Sequence, residues 1–402
     1  MTAEHASNDA LYRLDRQYHL QTYNRFPIAF SHGKGARVWD VEGKEYIDAL
    51  AGIAVNSLGH GHPAVVSAVR EQAEKLMHIS NYFVSEPQVR LAQLLVEISG
   101  MDRVFFSNSG TESIEGAFKF ARKSAHARGR GGGIISMERS FHGRTLAAIA
   151  TGGERMQRGF GPMPPGFTRV PFNDLAAVEA AITDDTAAVV VEPVQGEGGI
   201  HVADAAFLSG LRALCDRTGV LLIFDEIQCG VARTGKMFAK DIYGVQPDIM
   251  TLAKGLGGGI PIGAVLLREQ VAKTMEFGDH GSTFGGNPLA TATALATMRT
   301  LIAEDVATQA QRKGAWLRAA LEKLREKHAS VREVRGLGLM IGVEFTFPTR
   351  PLMLAMIERG VLANATAENV LRLVPPLVIT DEEMRTVVDV VDAAITDVMK
   401  QE

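Results

Sequence analysis

From about residue 100 the chain alternates between short apolar runs and longer amphipathic stretches. The runs 103–107, 133–137, 168–171, 186–192, 220–225, 249–253 and 262–267 read as buried strands. The stretches 110–128, 174–182, 204–218 and part of 269–276 carry apolar residues at helical spacing. Such alternation predicts an α/β fold, a mostly parallel sheet with helices on both faces. The flanks differ. Residues 8–17 predict a short helix, and Arg25-Phe-Pro27 an extended arm. Segments 37–40 and 45–48 flank the turn Val41-Glu-Gly-Lys44, a hairpin signal, and the apolar stretch 51–55 then leads toward the core. Helices follow at 63–77 and 87–98. Beyond Pro288 the pattern gives helices at 289–303 and 305–328, strands at 331–336 and 339–345, a helix at 351–359, a strand at 371–373 and a terminal helix at 381–400. The expected division is a large central domain, 56–285, and a smaller α/β lobe built from both ends, 1–55 and 286–402.

Composition narrows the function classes. A chain of 402 residues with 46% apolar and 22% charged residues is ordinary globular protein. Its net charge of −4 argues against nucleic acid as the main partner. The basic residues Arg122, Lys123 and Arg128 to Arg130 read as a solvated helix end. Cys215 and Cys229 cannot build a disulfide framework and suit a reducing compartment. No apolar signal core is visible in residues 1–20 and no run of 18 apolar residues exists, so the expectation is a cytoplasmic protein without a membrane partner. His60 and His62 form a His-x-His pair without a third ligand nearby, so no metal is expected.

The candidate chemistry sits at strand ends. Lys254 directly follows the run 249–253 and precedes four glycines within five residues. In open α/β sheets the ligand crevice lies at the carboxyl ends of strands. A lysine desolvated there has a lowered pKa and an amine free for Schiff-base chemistry. Alone, Lys254 reads rather as a solvated lysine before a glycine turn. The spacing of Gly255 to Gly259 is not that of a dinucleotide loop. The second strand end is Asp225, closing Val220-Leu-Leu-Ile-Phe-Asp225. An acid and a lysine so placed suit pyridoxal 5'-phosphate (PLP), which needs a lysine for its aldehyde and an acid for its ring nitrogen. Ser107-Asn-Ser-Gly-Thr-Glu112 opens a helix and offers a phosphate cradle, or a plain capping box with Ser109 and Glu112, or both.

Taken jointly, these motifs resemble the class III, ω-amino-group, PLP aminotransferases. The resemblance runs from about Gly35 to about Ile379. It rests on Trp39-Asp40, Leu58-Gly-His-Gly-His-Pro63, Asn108-Ser-Gly-Thr-Glu112, Phe141-His-Gly-Arg-Thr145, Val191-Glu-Pro-Val-Gln-Gly-Glu197, Asp225-Glu-Ile-Gln228, Lys254 and His280-Gly-Ser-Thr-Phe-Gly-Gly-Asn-Pro288. It implies the PLP-dependent transferase fold type I, Lys254 and Asp225 as catalytic residues, and Gly110, Thr111, Phe141, Glu226, Ile227, Gln228 and Thr283 around the cofactor. Ser282 and Thr283 resemble a pair that reaches across a subunit interface, which implies a homodimer. Arg144 and Arg372 match positions that bind substrate carboxylates. Glu197 matches a gate that pairs with Arg372 until a substrate brings its own α-carboxylate. Ile53 stands where relatives acting on free ornithine carry a tyrosine. An apolar residue there suits a donor with an acylated α-amine. The resemblance therefore favours transfer from N2-acetyl-L-ornithine to 2-oxoglutarate. N-succinyl-LL-2,6-diaminopimelate, succinylornithine and 4-aminobutyrate stay open as donors. A non-catalytic nucleotide-binding α/β protein is the reading from a different class.

Overall fold

The long apolar runs become the middle of one seven-stranded sheet. Its strands, in chain order, are β1 (Arg103–Ser107), β2 (Gly133–Met137), β3 (Phe167–Val170), β4 (Thr186–Val191), β5 (Leu221–Asp225), β6 (Ile249–Leu252) and β7 (Gly263–Leu267). The computed structural model of the protein describes residues 7–400, and residues 1–6 and 401–402, the ends of the two expected outer segments, lie outside it. Across the sheet the order is β1-β7-β6-β5-β4-β2-β3. Every pairing from β6 through β3 is parallel, whereas β7 runs antiparallel to both β6 and β1. Only ten residues, 253–262, link β6 to β7. A parallel crossover needs a dozen or more, so the chain turns straight back.

Every residue of β4, β5, β6 and β7 is buried, which explains why these strands read as unbroken apolar runs. Within β5 the sides alternate. Leu221 and Ile223 pack with Ile114, Ala117 and Phe118 of the helix Gly110–His126. Leu222 and Phe224 pack with Leu208, Leu211 and Leu214 of the helix Ala205–Thr218. Each such side chain contributes about 1.5–3 kcal/mol relative to exposure.

The two ends of the chain meet in a second region. Phe30–Lys34, Arg37–Asp40 and Glu45–Asp48 form an antiparallel sheet, to which Val361–Leu362 adds in parallel against Ile47 and Asp48. Phe30–Lys34 is largely exposed and polar, so no periodicity announces it. A further sheet joins Val331–Leu337, Met340–Phe345, Val370–Leu373 and Asn364–Thr366. The expected boundary between 285 and 286 cuts through a continuous core. The helix Pro288–Ala303 packs on Pro63–Lys75 and Glu86–Ser99, and Met298 and Leu301 share one cluster with Leu91, Leu95 and Leu352.

Two features depart from the expectations. The stretch after Asp48 is no simple lead into the core. Ala51, Gly52, Ile53 and Ala54 all have left-handed φ, at 50°, 63°, 66° and 61°. This conformation costs about 1–2 kcal/mol for each residue other than glycine. The cations at 122–130 are no solvated face either. Arg122 donates to the carbonyls of Gly132 and Pro165, and Arg130 to those of Thr183, Thr186 and Thr218. They tie loops together, and Lys123 pairs with Asp279. Among the described residues no helix is long and apolar enough to cross a membrane.

Gly314 yields a prediction whose sign is informative. In a helix interior, glycine to alanine ordinarily stabilises by about 0.8–1 kcal/mol. Here a Cβ would stand 1.9 Å from the carbonyl oxygen of Gly338, a backbone atom. Gly314→Ala is therefore expected to destabilise by about 1–3 kcal/mol, read as a lower midpoint in urea unfolding. A raised midpoint would show that the close approach of the helix Val306–Lys327 to this turn is not required.

Candidate active site

Five connections leave the same edge of the central sheet, because β1, β2, β4, β5 and β6 all point there. Ser107 ends β1, and the helix Gly110–His126 begins three residues later. Phe141 and His142 follow β2, Glu192 follows β4, Asp225 ends β5, and Lys254 starts a short 3-10 turn after β6. Between them lies a cavity of about 390 Å³, lined among others by Gly110, Thr111, Phe141, Ile227, Gln228 and Lys254.

Asp225 is fixed from both oxygens. Oδ1 accepts from the Ile227 N–H at 3.0 Å and the Thr251 hydroxyl at 3.3 Å. Oδ2 meets His142 Nδ1 at 2.6 Å. Burial opposes a charge on His142, but the hydrogen bond and charge of Asp225 outweigh it and hold the ring above its ordinary pKa. His142 Nε2 is buried without a partner. Glu192 stands behind this pair, with its carboxylate accepting from the N–H groups of Phe141 and Gly196, both at 3.1 Å. Burial, with a contribution from the Asp225 charge, pushes it up to about 7.

The anion cradle begins at Ser109, whose hydroxyl accepts from the Glu112 N–H at 3.3 Å. The Glu112 carboxylate reaches back to the Asn108 N–H at 2.6 Å, one residue before the position a capping box would use. Gly110 and Thr111 occupy the first turn, where N–H groups have no acceptor within the helix. Thr111 Oγ1 accepts from the N–H groups of Arg144 and Thr145 at 3.2 and 3.3 Å. A Cβ on Gly143, at φ 125°, would fall 2.2 Å from that oxygen, so only glycine permits the approach. The donor set fits PLP. First-turn N–H groups suit a phosphate dianion, Asp225 suits a protonated ring nitrogen, and Lys254 suits the aldehyde.

Lys254 is half-buried, and desolvation of its amine lowers its ammonium pKa. Glu197 partly offsets the effect and Arg372 reinforces it. Arg372 has no exposed surface. Nε donates to Asn364 Oδ1 at 3.0 Å, its cross-strand neighbour. Nη1 donates to the Gly196 carbonyl at 3.1 Å, Gln228 Oε1 at 3.1 Å and Glu197 Oε1 at 2.5 Å. Nη2 is left without a partner. Burial works against ionised Glu197, but Arg372 outweighs it and keeps this carboxyl below its usual range. Arg144 is exposed, stands 5.4 Å from the Phe141 ring, and lines both the inner cavity and an outer one of about 1230 Å³. Glu197 also lines the outer cavity.

Other residues singled out in the sequence lie elsewhere. Glu226 turns away from the cavity, and its carboxylate accepts from the N–H groups of Ala239 and Lys240. Ser282 accepts from Asn108 Nδ2 at 3.1 Å but lines neither cavity, and Thr283 is exposed. Ile53 is 39% exposed and outside the lining, to which Val55, two residues on, belongs. His60 meets Asp48 at 2.8 Å, a structural pairing. The sequence reading did not single out His142, Glu192 or Asn364 as functional. The first two sit inside quoted motifs, whereas nothing local marks Asn364.

Glu192 gives a pH prediction. Its folded pKa of about 7 lies above the ordinary 4.5, so between these values the folded state binds more protons than the unfolded chain. Stability from this group is present below that window and declines as pH rises through it. Glu192→Gln cannot ionise. The unfolding free energy of wild type minus that of the variant should fall across the window and then level off, as measured by urea unfolding at several pH values. A difference independent of pH would mean that Glu192 ionises normally.

Comparison with known proteins places this geometry. The model of the family described as aminotransferase class-III matches residues 18–395. The acetylornithine aminotransferase of Methanocaldococcus jannaschii is 53% identical over 393 residues, covering 96% of this chain and 98% of that protein. A solved ornithine aminotransferase from Toxoplasma gondii, with partial occupancy of PLP at its active site, superposes with a TM-score of 0.96 at 38% identity, covering 99% of this chain and 96% of the other. The acetylornithine aminotransferase of Elizabethkingia anophelis does so with a TM-score of 0.88 at 37% identity, covering 98% and 100%. On its sequence, its fold and the arrangement of its strand-end residues, the chain belongs to the class-III aminotransferases.

Proposed function

We propose that this protein moves the δ-amino group of N2-acetyl-L-ornithine to 2-oxoglutarate, giving N-acetyl-L-glutamate 5-semialdehyde and L-glutamate, a step of arginine biosynthesis in the cytoplasm. The observation that carries the reading is the pair of buried Arg372 and half-buried Glu197 beside Lys254. An enzyme that takes an ω-amine donor and an α-keto acid in turn must hide its α-carboxylate site from the first and open it to the second. A guanidinium that already has a carboxylate partner, and keeps Nη2 free, meets both needs. The aliphatic Ile53, two residues before the cavity-lining Val55, favours a donor whose α-amine is acylated and uncharged.

PLP supplies an aldehyde for amines and a ring that accepts electrons. Gly110 and Thr111 would hold its phosphate, with Phe141, Ile227 and Gln228 against the ring. Asp225, oriented by His142 and Thr251, would hold the proton on the ring nitrogen. Lys254 Nζ, with its pKa lowered by desolvation, would take the proton from the substrate carbon that bears the amine and return it to the carbon of the cofactor's aldehyde group. Arg144 binds the α-carboxylate of acetylornithine and the distal carboxylate of 2-oxoglutarate. Arg372 binds the α-carboxylate of 2-oxoglutarate once Glu197 has moved aside. Ser282 and Thr283, outside the chain's own cavity, fit a homodimer in which each copy completes the other's site.

The gate separates the two half-reactions. Loss of one bidentate charge-assisted contact costs about 1.5–3 kcal/mol, or roughly one to two decades. Arg372→Ala should impose that loss on the 2-oxoglutarate half-reaction and largely spare the acetylornithine half-reaction, each followed by stopped-flow absorbance. Arg144→Ala should impair both. Glu197→Ala should accelerate the reaction with glutamate. Equal damage by Arg372→Ala to both halves, with no gain for glutamate in Glu197→Ala, would refute the gate.

A further inference from the structure

We propose that Asp48 and His60 are positioning residues that set the substrate mouth by holding residues 51–54 in their left-handed turn. The inference rests on the aminotransferase reading above. Local sequence does not explain the turn. Of its four residues only Gly52 suits positive φ, and a β-branched residue at φ 66°, such as Ile53, is an outlier. Strain of this kind persists where surrounding structure imposes it, and it clusters at functional sites.

The imposing contacts are specific. Asp48 is 4% exposed, and its Oδ1 accepts from the N–H groups of Leu50 at 3.0 Å and Ala51 at 2.7 Å, the entry to the turn. Its Oδ2 meets His60 Nε2 at 2.8 Å. His60 is itself anchored, exchanging two backbone hydrogen bonds of 2.9 Å with Gly35. Within the turn, Ala54 bonds to Leu50 at 3.0 Å and Val55 to Ala51 at 2.8 Å.

The turn then touches each part of the site. Val55 lines the inner cavity. Asn56 and Ser57 lie against Gly259 and Gly255, in the glycine run after Lys254. Ala54 packs with Val194 and Val374, which sit next to the Gly196–Glu197 segment and to Arg372 respectively. A relaxed turn would displace Ile53 and Val55 while leaving Arg372 held by Asn364 and Gly196. The turn therefore acts on the donor, which needs the wall, more than on 2-oxoglutarate, which needs the arginine.

The test measures KM for each substrate, kcat and the melting temperature of the holoenzyme for Asp48→Ala, Asp48→Asn, His60→Gln and Ile53→Gly. Displacement of a substrate wall should raise the KM of Asp48→Ala for N2-acetyl-L-ornithine about tenfold. KM for 2-oxoglutarate should stay within about twofold and kcat within about threefold, the signature of lost uniform binding. His60→Gln should shift the same constant in the same direction. Asp48→Asn, whose amide oxygen can still accept from Leu50 and Ala51, should recover most of the loss. Ile53→Gly should raise the donor KM while melting at or above the wild-type temperature, because glycine is at home at φ 66°. If Asp48→Ala does not fold, Asp48→Asn against Ile53→Gly decides. A lower melting temperature with both KM values unchanged, or equal changes in both, would overturn the proposal. Should the wild type prefer a different ω-amine donor, the substrate reading fails, and the same KM split measured with that donor still decides on the turn.

Discussion

The site depends on the partial desolvation of a lysine amine. An ammonium at Lys254 is disfavoured by burial, and the same burial places Glu197, Arg372 and Asp225 near enough to act on it. The fold creates this condition by ending six strands, β1 to β6, at one edge, so that a carboxylate, an amine and a helix N-terminus converge without any of them bending far from its element. The buried strands supply the dry wall, and their packing on both faces gives the edge its rigidity.

Around that amine the charges form two chains. One runs from Glu192 past His142 to Asp225. The other runs from Asn364 through Arg372 to Glu197 and Gln228. Gln228 lines the cofactor cavity while accepting from Arg372, so it stands where the two chains meet. Both depend on long-range neighbours. His142 and Asp225 are 83 residues apart, and Glu197 and Arg372 are 175 apart.

Local signals were readable in the chain. Unbroken apolar runs marked the buried strands, and a lysine and an aspartate at the ends of two of them marked residues that line the cavity. What could not be read had distant causes. The left-handed turn at 51–54 looks like ordinary apolar sequence, because what imposes it is Asp48 together with a histidine held by Gly35. Arg122 and Arg130 look like a solvated face, because their carbonyl acceptors come from other loops. Glu226 adjoins Asp225 yet faces the opposite way, as alternation along an extended chain requires.

The most direct measurement is to load the protein with PLP, reduce it with borohydride, digest it and locate the modified residue by mass spectrometry. The account predicts a single modified lysine, Lys254, with neither label nor turnover in Lys254→Ala. A label on a different lysine, such as the buried Lys240 or Lys313, or turnover near the wild-type level in Lys254→Ala, would contradict it.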